Sequence, residues 1–443
     1  MRIGIVGAGV TGLTAAYQLQ ARGFETCLFE AGREMGGLAG VVPLGKGFIE
    51  RYYHHFFQHD SHLLELLEEM DIGKQVLWRE SQIGYYHGDR IYKFGKPSDL
   101  FGFSPLTAKG KIKFALSTLY LRMKPSPYGL DGISIADWFQ RYGGSEAYEV
   151  VWKPLLKQKF GASHADVSTA WLWGRVNARS RSRNRFFGNE QLGYLRGSFD
   201  QLFQALGVRF TGSGGHLYLG SAVQGLESEP GDKIRLRAEN TELIFDKVVV
   251  TTPVPTFLDM VSGLAELYRK ALGTILYRSA VCLMLVLDSP LMDDIYWLNI
   301  HNTRIPFGGV IEHTNFIPPG FYGGRHIIYV FNYLAGDDPF FRADEKTVRE
   351  TYFSGLAKIF PHFSRRRVET AVLSRSLYAT PVYGGDYTMR RPTHRTPLPN
   401  LFLANTAQVY PQDRNVSNCI ANAQALCTLI GSGDAKLSDG QPT

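Results

Sequence analysis

The chain has 443 residues, 44% of them hydrophobic and 20% charged, and a formal net charge of +7. That length exceeds one simple core and predicts two or three lobes; the composition is that of a globular protein, not a disordered or collagen-like one. Cys27, Cys282, Cys419 and Cys427 are scattered with no CxxC spacing, which argues against a structural zinc or other metal site and for a reducing, cytoplasmic setting.

The start, MRIGIVGAGV, lacks the charged leader, apolar stretch and cleavage site of a secretory signal, so none is expected. Residues 2–6 are β-branched and read as a strand, 12–20 (GLTAAYQLQ) as a helix ended by Gly23, and 25–30 (ETCLFE) as a second strand. Together they form a βαβ unit. Residues 61–70 predict a helix behind a Ser61 N-cap. Residues 111–123 predict a helix apolar on one face and basic on the other, and 137–185, rich in Trp and Arg, a mainly helical stretch. Strands are expected at 216–219, 234–238, 247–251, 278–287, 325–334 and 400–404, and a last helix at 416–430. The longest apolar run, 280–287 (AVCLMLVL), is far below the roughly 20 residues of a membrane helix and reads as a buried strand. The polar tail 432–443 is expected to be disordered.

The turn after the first strand is GAGVTG, that is Gly7, Ala8, Gly9, Val10, Thr11, Gly12, a GxGxxG between strand and helix. Gly7 permits the tight turn, Gly9 lets backbone approach a pyrophosphate, and Gly12 lets helix pack on strand. The helix N-terminus offers free amides to phosphate. Glu30, followed by Ala31, closes the second strand, where an acid accepts ribose hydroxyls. This combination predicts an α/β, Rossmann-like dinucleotide-binding unit. The stretch TGSGG at 211–215 lacks a strand before it and a helix after it, so it reads as a turn and not as a second nucleotide site.

The stretch after Glu30, AGREMGGLAG, carries the doublet Gly36-Gly37 followed by Leu38 and Ala39. It resembles the extended FAD signature of the amine oxidase superfamily. GGLAG is most similar to phytoene and carotene desaturases and protoporphyrinogen oxidases; monoamine oxidases have Arg where this chain has Leu38. The segments GHLYLGSAVQG and KVVVTTP resemble the family's middle FAD segment, which implies an adenine contact by the Val223 backbone and a place for Thr251. NLFLANTAQVYPQDRNVSNCIANAQAL resembles its C-terminal segment, with Asn405 and Thr406 in place of the usual glycine and acid. There the helix starting near Asn415 and Val416 is implied to point at the flavin pyrimidine. The resemblance implies a FAD-binding domain in three pieces (1–60, 196–260, 386–431) with an inserted α+β substrate domain, mainly helical at 61–195 and a sheet at 261–385. It implies non-covalent FAD and no built-in NAD(P)H domain.

In such an architecture IERYYHHFFQHD (49–60) lies near the flavin ring. Adjacent histidines on extended chain point to opposite faces, so His54 and His55 do not share a metal ion. They and Tyr53 are either packed aromatics or the wall of a reaction pocket. The stretch also resembles the histidine-bearing loop of UDP-galactopyranose mutases. Lys153, Lys157 and Lys159 supply a substrate charge or a proton, or form a solvated helix face. Arg175, beside Trp171 and Trp173, pairs with a substrate anion or stacks at the core edge. Tyr383 and Tyr410 sandwich a substrate or simply pack, and Arg414 suits phosphate or an acid. The clusters Arg175–Arg196 and Lys109–Lys124 are solvated faces, or hold an anionic substrate or a membrane surface; no nucleic-acid module is present. The expected activity is removal of hydride from an apolar or amphipathic substrate, such as an isoprenoid or porphyrinogen. The alternatives are a mutase-like isomerase of a nucleotide-sugar and a non-catalytic flavoprotein, the latter supported only by Asn405 and Thr406.

Overall fold

The computed structural model describes residues 1–183, 190–239 and 241–432. The expectations for Arg185 and for 433–443 fall outside them.

The first unit begins with β1 (Arg2–Val6), crosses through α1 (Val10–Ala21) and returns as β2 (Glu25–Phe29). Both strands are buried along almost their whole length, as a parallel sheet covered on two faces requires. The chain then leaves this sheet. A helix at Ser61–Glu69 has Asp60, not Ser61, at its N-cap. The Asp60 carboxylate instead accepts the Phe57 amide at 2.8 Å and the Asn415 side-chain amide at 2.9 Å. Helices α2 (Ala108–Met123), α3 (Lys153–Phe160) and α4 (Thr169–Arg181) follow, with π-helical turns at 139–143 and 148–152. Helix α5 (Asp200–Gly212) leads back into the first sheet through β3 (His216–Tyr218) and β4 (Lys247–Val250).

A second sheet follows, built on β5 (Tyr277–Leu287), β6 (His326–Leu334) and β7 (Val368–Pro381). Beyond β6 it continues through strands at 309–312, 297–301, 83–87 and 90–93, seven in all. It therefore draws two strands from the otherwise helical 61–195 stretch. The chain closes with β8 (Leu401–Leu403) and α6 (Val416–Gly431).

The first sheet has the order β3-β2-β1-β4-β8 and is parallel throughout. Helices α1, α5 and α6 pack on one face, where Ile3, Ile5, Leu13, Leu206, Phe210 and Ile420 share a core. A three-stranded antiparallel ribbon (223–229, 233–238, 241–245) covers the other face, with Leu226, Leu236 and Phe245 buried against Val248 and Val250. The strand of residues 280–287 is the buried centre of β5, as its apolar run predicts. Helices α5 and 345–359, and strand β7, have no counterpart among the sequence-based expectations. Glu30, Gly7, Thr251 and Asn405 all stand at or just past the carboxyl ends of β2, β1, β4 and β8. In open α/β sheets that edge is where ligands bind.

Candidate active site

A cavity of about 740 Å³ opens along this edge, lined by Gly7, Gly9, Val10, Thr11 and Glu30 at the first βαβ unit. Gly36, Gly37, Leu38 and Ala39 close one side. Thr251, Asn405, Thr406, Asn415 and Val416 close the other. Gly7 has φ of +100° and Gly36 of +110°, conformations that cost an L side chain strain. A Cβ at Gly12 would lie 1.8 Å from the Gly7 carbonyl oxygen, so Gly12 serves helix–strand contact, not the cavity wall. A Cβ at Gly9 would meet only the Gly37 Cα, at 3.9 Å, so Gly9 keeps the cavity floor low. Glu30 accepts the Ala8 amide at 2.7 Å through Oε2 and the Gly32 amide at 2.8 Å through Oε1. Ala8 thus fixes the acid from behind. Neither Ala8, Gly12 nor Ala31 lines the cavity. Val223 also lies outside the lining, at the bulged start of the 223–229 strand.

Thr251 donates its hydroxyl to the Val6 carbonyl at 2.8 Å. Asn405 caps the short turn after β8: its Oδ1 accepts the Ala407 amide at 3.0 Å and its Nδ2 donates to the Thr252 carbonyl at 2.8 Å. The departure from the family's usual glycine therefore has a local structural use. Asn415 caps α6, its Oδ1 accepting the Asn418 amide at 2.8 Å. The amides of this helix start face the cavity edge with their partial positive charge.

A second cavity, of about 210 Å³, meets the first. They share Leu38, Tyr52, His54, Arg414, Asn415 and Val416. Its aromatic wall is Tyr53 against Phe331 (ring centroids 4.7 Å) and Trp297 (4.8 Å), with His55 beside Trp297. The ring Nδ1 of His54 is 2.7 Å from the Tyr52 carbonyl and donates to it; that of His55 is 3.1 Å from the Tyr296 hydroxyl. Burial pushes His54 down to about 4 and His55 to about 3, so both are neutral imidazoles at ordinary pH. Burial also holds the Tyr53 phenol well above its usual range. Tyr53, His54 and His55 all line this cavity, the wall position expected of them. His59 stacks on Phe57 at 5.3 Å and lines neither cavity.

The opposite wall is cationic. Lys159 on α3, Arg175 and Arg179 on α4, and Arg414 all line the second cavity, together with Asp413. Asp413 accepts Lys159 at 2.9 Å and Arg175 at 2.8 Å, one on each oxygen. These cations hold its carboxyl below the usual range despite burial, which by itself would raise it. Arg179 donates to Glu190 at 2.9 Å. Arg175 also lies over Trp171, 5.7 Å from the ring centroid, the stacking expected of it, while the anion it pairs with is this chain's own Asp413. The solvated-face reading holds for Lys157 and for Lys153, which pairs with Glu149, but fails for Lys159: the helix turns it inward.

Tyr383 and Tyr410 line neither cavity. Tyr383, Tyr387 and Tyr410 pack on one another with centroids 5.0–5.4 Å apart, and Tyr410 donates to Ser168 at 2.7 Å. The pocket role expected for Tyr383 therefore gives way to core packing. Trp297, Phe331 and Asp413 enter the site without having been singled out for it, and of the three lysines considered for a substrate charge only Lys159 does. Among the described residues, no group of three or more His, Cys, Asp or Glu side chains converges on a metal-sized point.

Residues 10–412 match the family described as flavin containing amine oxidoreductase. A 15-cis-phytoene desaturase of Glycine max is 22% identical over 442 residues, covering 93% of this chain and 76% of that protein. Zeta-carotene desaturases also match, but the chain spans only about a third of their length. The crystal structure of a candidate protoporphyrinogen oxidase from Exiguobacterium sp. 255-15 superposes with a TM-score of 0.78 at 18% identity, over 97% of this chain and 98% of that one. Reduced UDP-galactopyranose mutase superposes with a TM-score of 0.75 at 14% identity, over 98% and 96%. These likenesses establish a shared mixed α/β fold. With a family match over nearly the whole length, the chain belongs to the flavin-containing amine oxidoreductase family, whose cofactor is FAD.

Proposed function

We propose that this protein is a FAD-dependent oxidoreductase that removes a hydride from a compact amphipathic substrate. The observation that carries the proposal is the junction of the two cavities at Leu38, Tyr52, His54 and Arg414–Val416. The residues fit the cofactor. Glu30 would take the adenosine ribose, Gly9 and the start of α1 the pyrophosphate, and Gly36–Gly37 its other side. Leu38, Tyr52, His54 and the start of α6 at the junction would hold the flavin end, with no covalent bond. This divides the chain as the sequence suggests: a Rossmann-like FAD domain assembled from three pieces and an inserted substrate domain. FAD, when bound, would supply a two-electron hydride acceptor, with oxygen, a quinone or another acceptor as the final oxidant.

The chain's own groups do the positioning. The Tyr53–Phe331–Trp297 wall excludes water and offers apolar surface to the reacting carbon. The neutral imidazoles of His54 and His55 hold that wall in place without bringing charge to it. The small cavity suits a compact molecule or one end of a longer one, and the names of the relatives support an isoprenoid or a porphyrinogen. A cytoplasmic location with peripheral membrane contact is part of this reading, as is the absence of a nucleic-acid partner. Among the described residues no helix is long and apolar enough to cross a membrane.

A second reading, a nucleotide-sugar isomerase without net redox, is favoured by one observation: the wall of Lys159, Arg175, Arg179 and Arg414 suits a diphosphate. The reading as a non-catalytic flavoprotein loses half of its support, because Asn405 caps a turn. The test is anaerobic. The oxidised-flavin band is followed while a porphyrinogen, a polyprenoid precursor and a nucleotide-sugar are added in turn. Bleaching by either of the first two is expected. Turnover of the nucleotide-sugar only after dithionite reduction would give the case to the isomerase. A protein that takes up no FAD would overturn both.

A further inference from the structure

We infer that the cavity beside the flavin selects its substrate by an anionic group, a carboxylate or a phosphate, received between Arg175, Arg179 and Arg414. This deepens the oxidoreductase proposal and rests on its reading of that cavity as the substrate pocket. The argument is one of charge balance in a confined space. Four cations line the cavity, and two carboxylates, Asp413 in the wall and Glu190 behind it, answer them. Both oxygens of Asp413 are already taken by Lys159 and Arg175. Glu190 is 2% exposed and engaged by Arg179 and the Ser182 hydroxyl. Among the described residues, four cations thus share two carboxylates, an excess of two positive charges.

Arg414 shows this most directly. Among the described residues it has no ion pair; it reaches only the Tyr333 hydroxyl, at 3.4 Å, and its Nε has no hydrogen-bond partner. Arg175 and Arg179 each commit one terminal nitrogen to a carboxylate, which leaves the rest of each guanidinium fork for another acceptor. Beneath the cations lie aromatic rings: Lys159 is 4.8 Å from the Trp171 centroid and Arg179 5.9 Å from that of Trp297. These rings hold the charges at the cavity surface while keeping water off one side of them. Burial and the neighbouring guanidiniums of Arg175 and Arg414 push the Lys159 ammonium down to about 8, against the pull of Asp413.

An uncompensated cation in a confined apolar site is costly, and a planar fork is matched best by a two-oxygen acid. A pure hydrocarbon would leave these charges unanswered, and an amine would add to them. The substrate consistent with both walls is amphipathic: an apolar reacting end against Tyr53 and Trp297, and an acid against the arginines.

Four probes that share one ring and differ in charge test this on the FAD-loaded protein: benzoate, phenyl phosphate, benzamide and benzylamine. Perturbation of the visible flavin band is the readout. Benzoate or phenyl phosphate should bind about tenfold or more tighter than benzamide, with benzylamine weakest, the range of a charged hydrogen bond. Whichever of the two acids binds better separates a carboxylate site from a phosphate site. Arg175→Gln and Arg179→Gln should each remove most of that preference at unchanged FAD content. The four-probe ranking on the unaltered protein stands even if a variant misfolds. Benzamide binding as well as both acids would overturn the inference and leave the pocket reading intact. A flavin band that responds to none of the four would overturn the pocket reading, and the inference with it.

Discussion

Gly9 and Gly12 lie in one turn and do different work. The Cβ of an alanine at 12 would stand 1.8 Å from the Gly7 carbonyl oxygen. Backbone must move to admit it, at a cost of roughly 1–3 kcal/mol or more. Gly12→Ala should therefore lower the melting temperature of the apoprotein and its flavin content together. At Gly9 the added methyl meets one Cα at 3.9 Å, an ordinary contact. Gly9→Ala should leave the apoprotein's melting temperature unchanged while FAD binding weakens, because the methyl stands where the pyrophosphate must approach. Melting curves of flavin-free protein and the flavin-to-protein absorbance ratio separate the two; equal melting temperatures for both variants would sink the distinction. These glycines were legible in the sequence because each answers a backbone demand that no other residue meets. Lys159 and Asp413 were not. They are 254 positions apart, and each alone looks like a surface charge. Only the inward turn of α3 and the loop before α6 bring them together.

Glu50 ends the strand at 47–50 and ties three further elements to it. Its Oε2 accepts the Tyr194 hydroxyl at 2.8 Å, its Oε1 the Phe199 amide before α5 at 2.9 Å, and its carbonyl the Tyr329 hydroxyl on β6 at 2.8 Å. Burial raises its pKa from 4.5 to about 7, against the lowering effect of those donors. Between those two values the folded chain holds a proton that the unfolded chain releases, so this contribution to stability is full below the unfolded value and is lost as pH rises through the folded one. The loss is at most about 3–4 kcal/mol at 1.36 kcal/mol per unit. Glu50→Gln, which stays neutral, should flatten the stability–pH curve between pH 4.5 and 7. Denaturant unfolding at several pH values checks it; parallel curves for both proteins would refute the assignment. At this scale the βαβ unit, the buried β5 and helix α6 were readable from periodicity and capping. Strand β7 was not, because it is an edge strand paired only to β5 among the described residues, half-exposed along most of its length, and VETAVLSRSLYATP carries no apolar run. Helices α5 and 345–359 each hide behind an interior glycine, Gly207 and Gly355, which lowers helix propensity and is repaid by close packing, on Met35 and on Phe307 with Pro306.

The molecule as a whole presents one helix the wrong way round for water. In α2 the small or polar Gly110 and Ser117, with Leu121, face the protein, while Ile112, Leu116, Leu119, Tyr120 and Met123 face out. Nearby Phe101 is 85% exposed. A water-facing helix shows the opposite pattern. Lys109, Lys113 and Arg122 stand exposed among these side chains, and the whole chain carries +7. Apolar side chains that enter the acyl boundary, ringed by bases that meet anionic headgroups, are what an interfacial helix needs. The sequence suggested an apolar and a basic face; the structure places the apolar one outside, the face that the proposed membrane contact would use. Vesicles containing phosphatidylserine should therefore sediment the protein at low salt, and high salt should release part of it. The triple substitution Ile112→Ser, Leu116→Ser and Met123→Ser touches no core position, so it should leave melting temperature and flavin content unchanged while sharply reducing sedimentation. Sedimentation that survives this change would move the contact to another face, and none at low salt in the unaltered protein would remove membrane contact from the account, leaving the substrate to reach the cavity from solution.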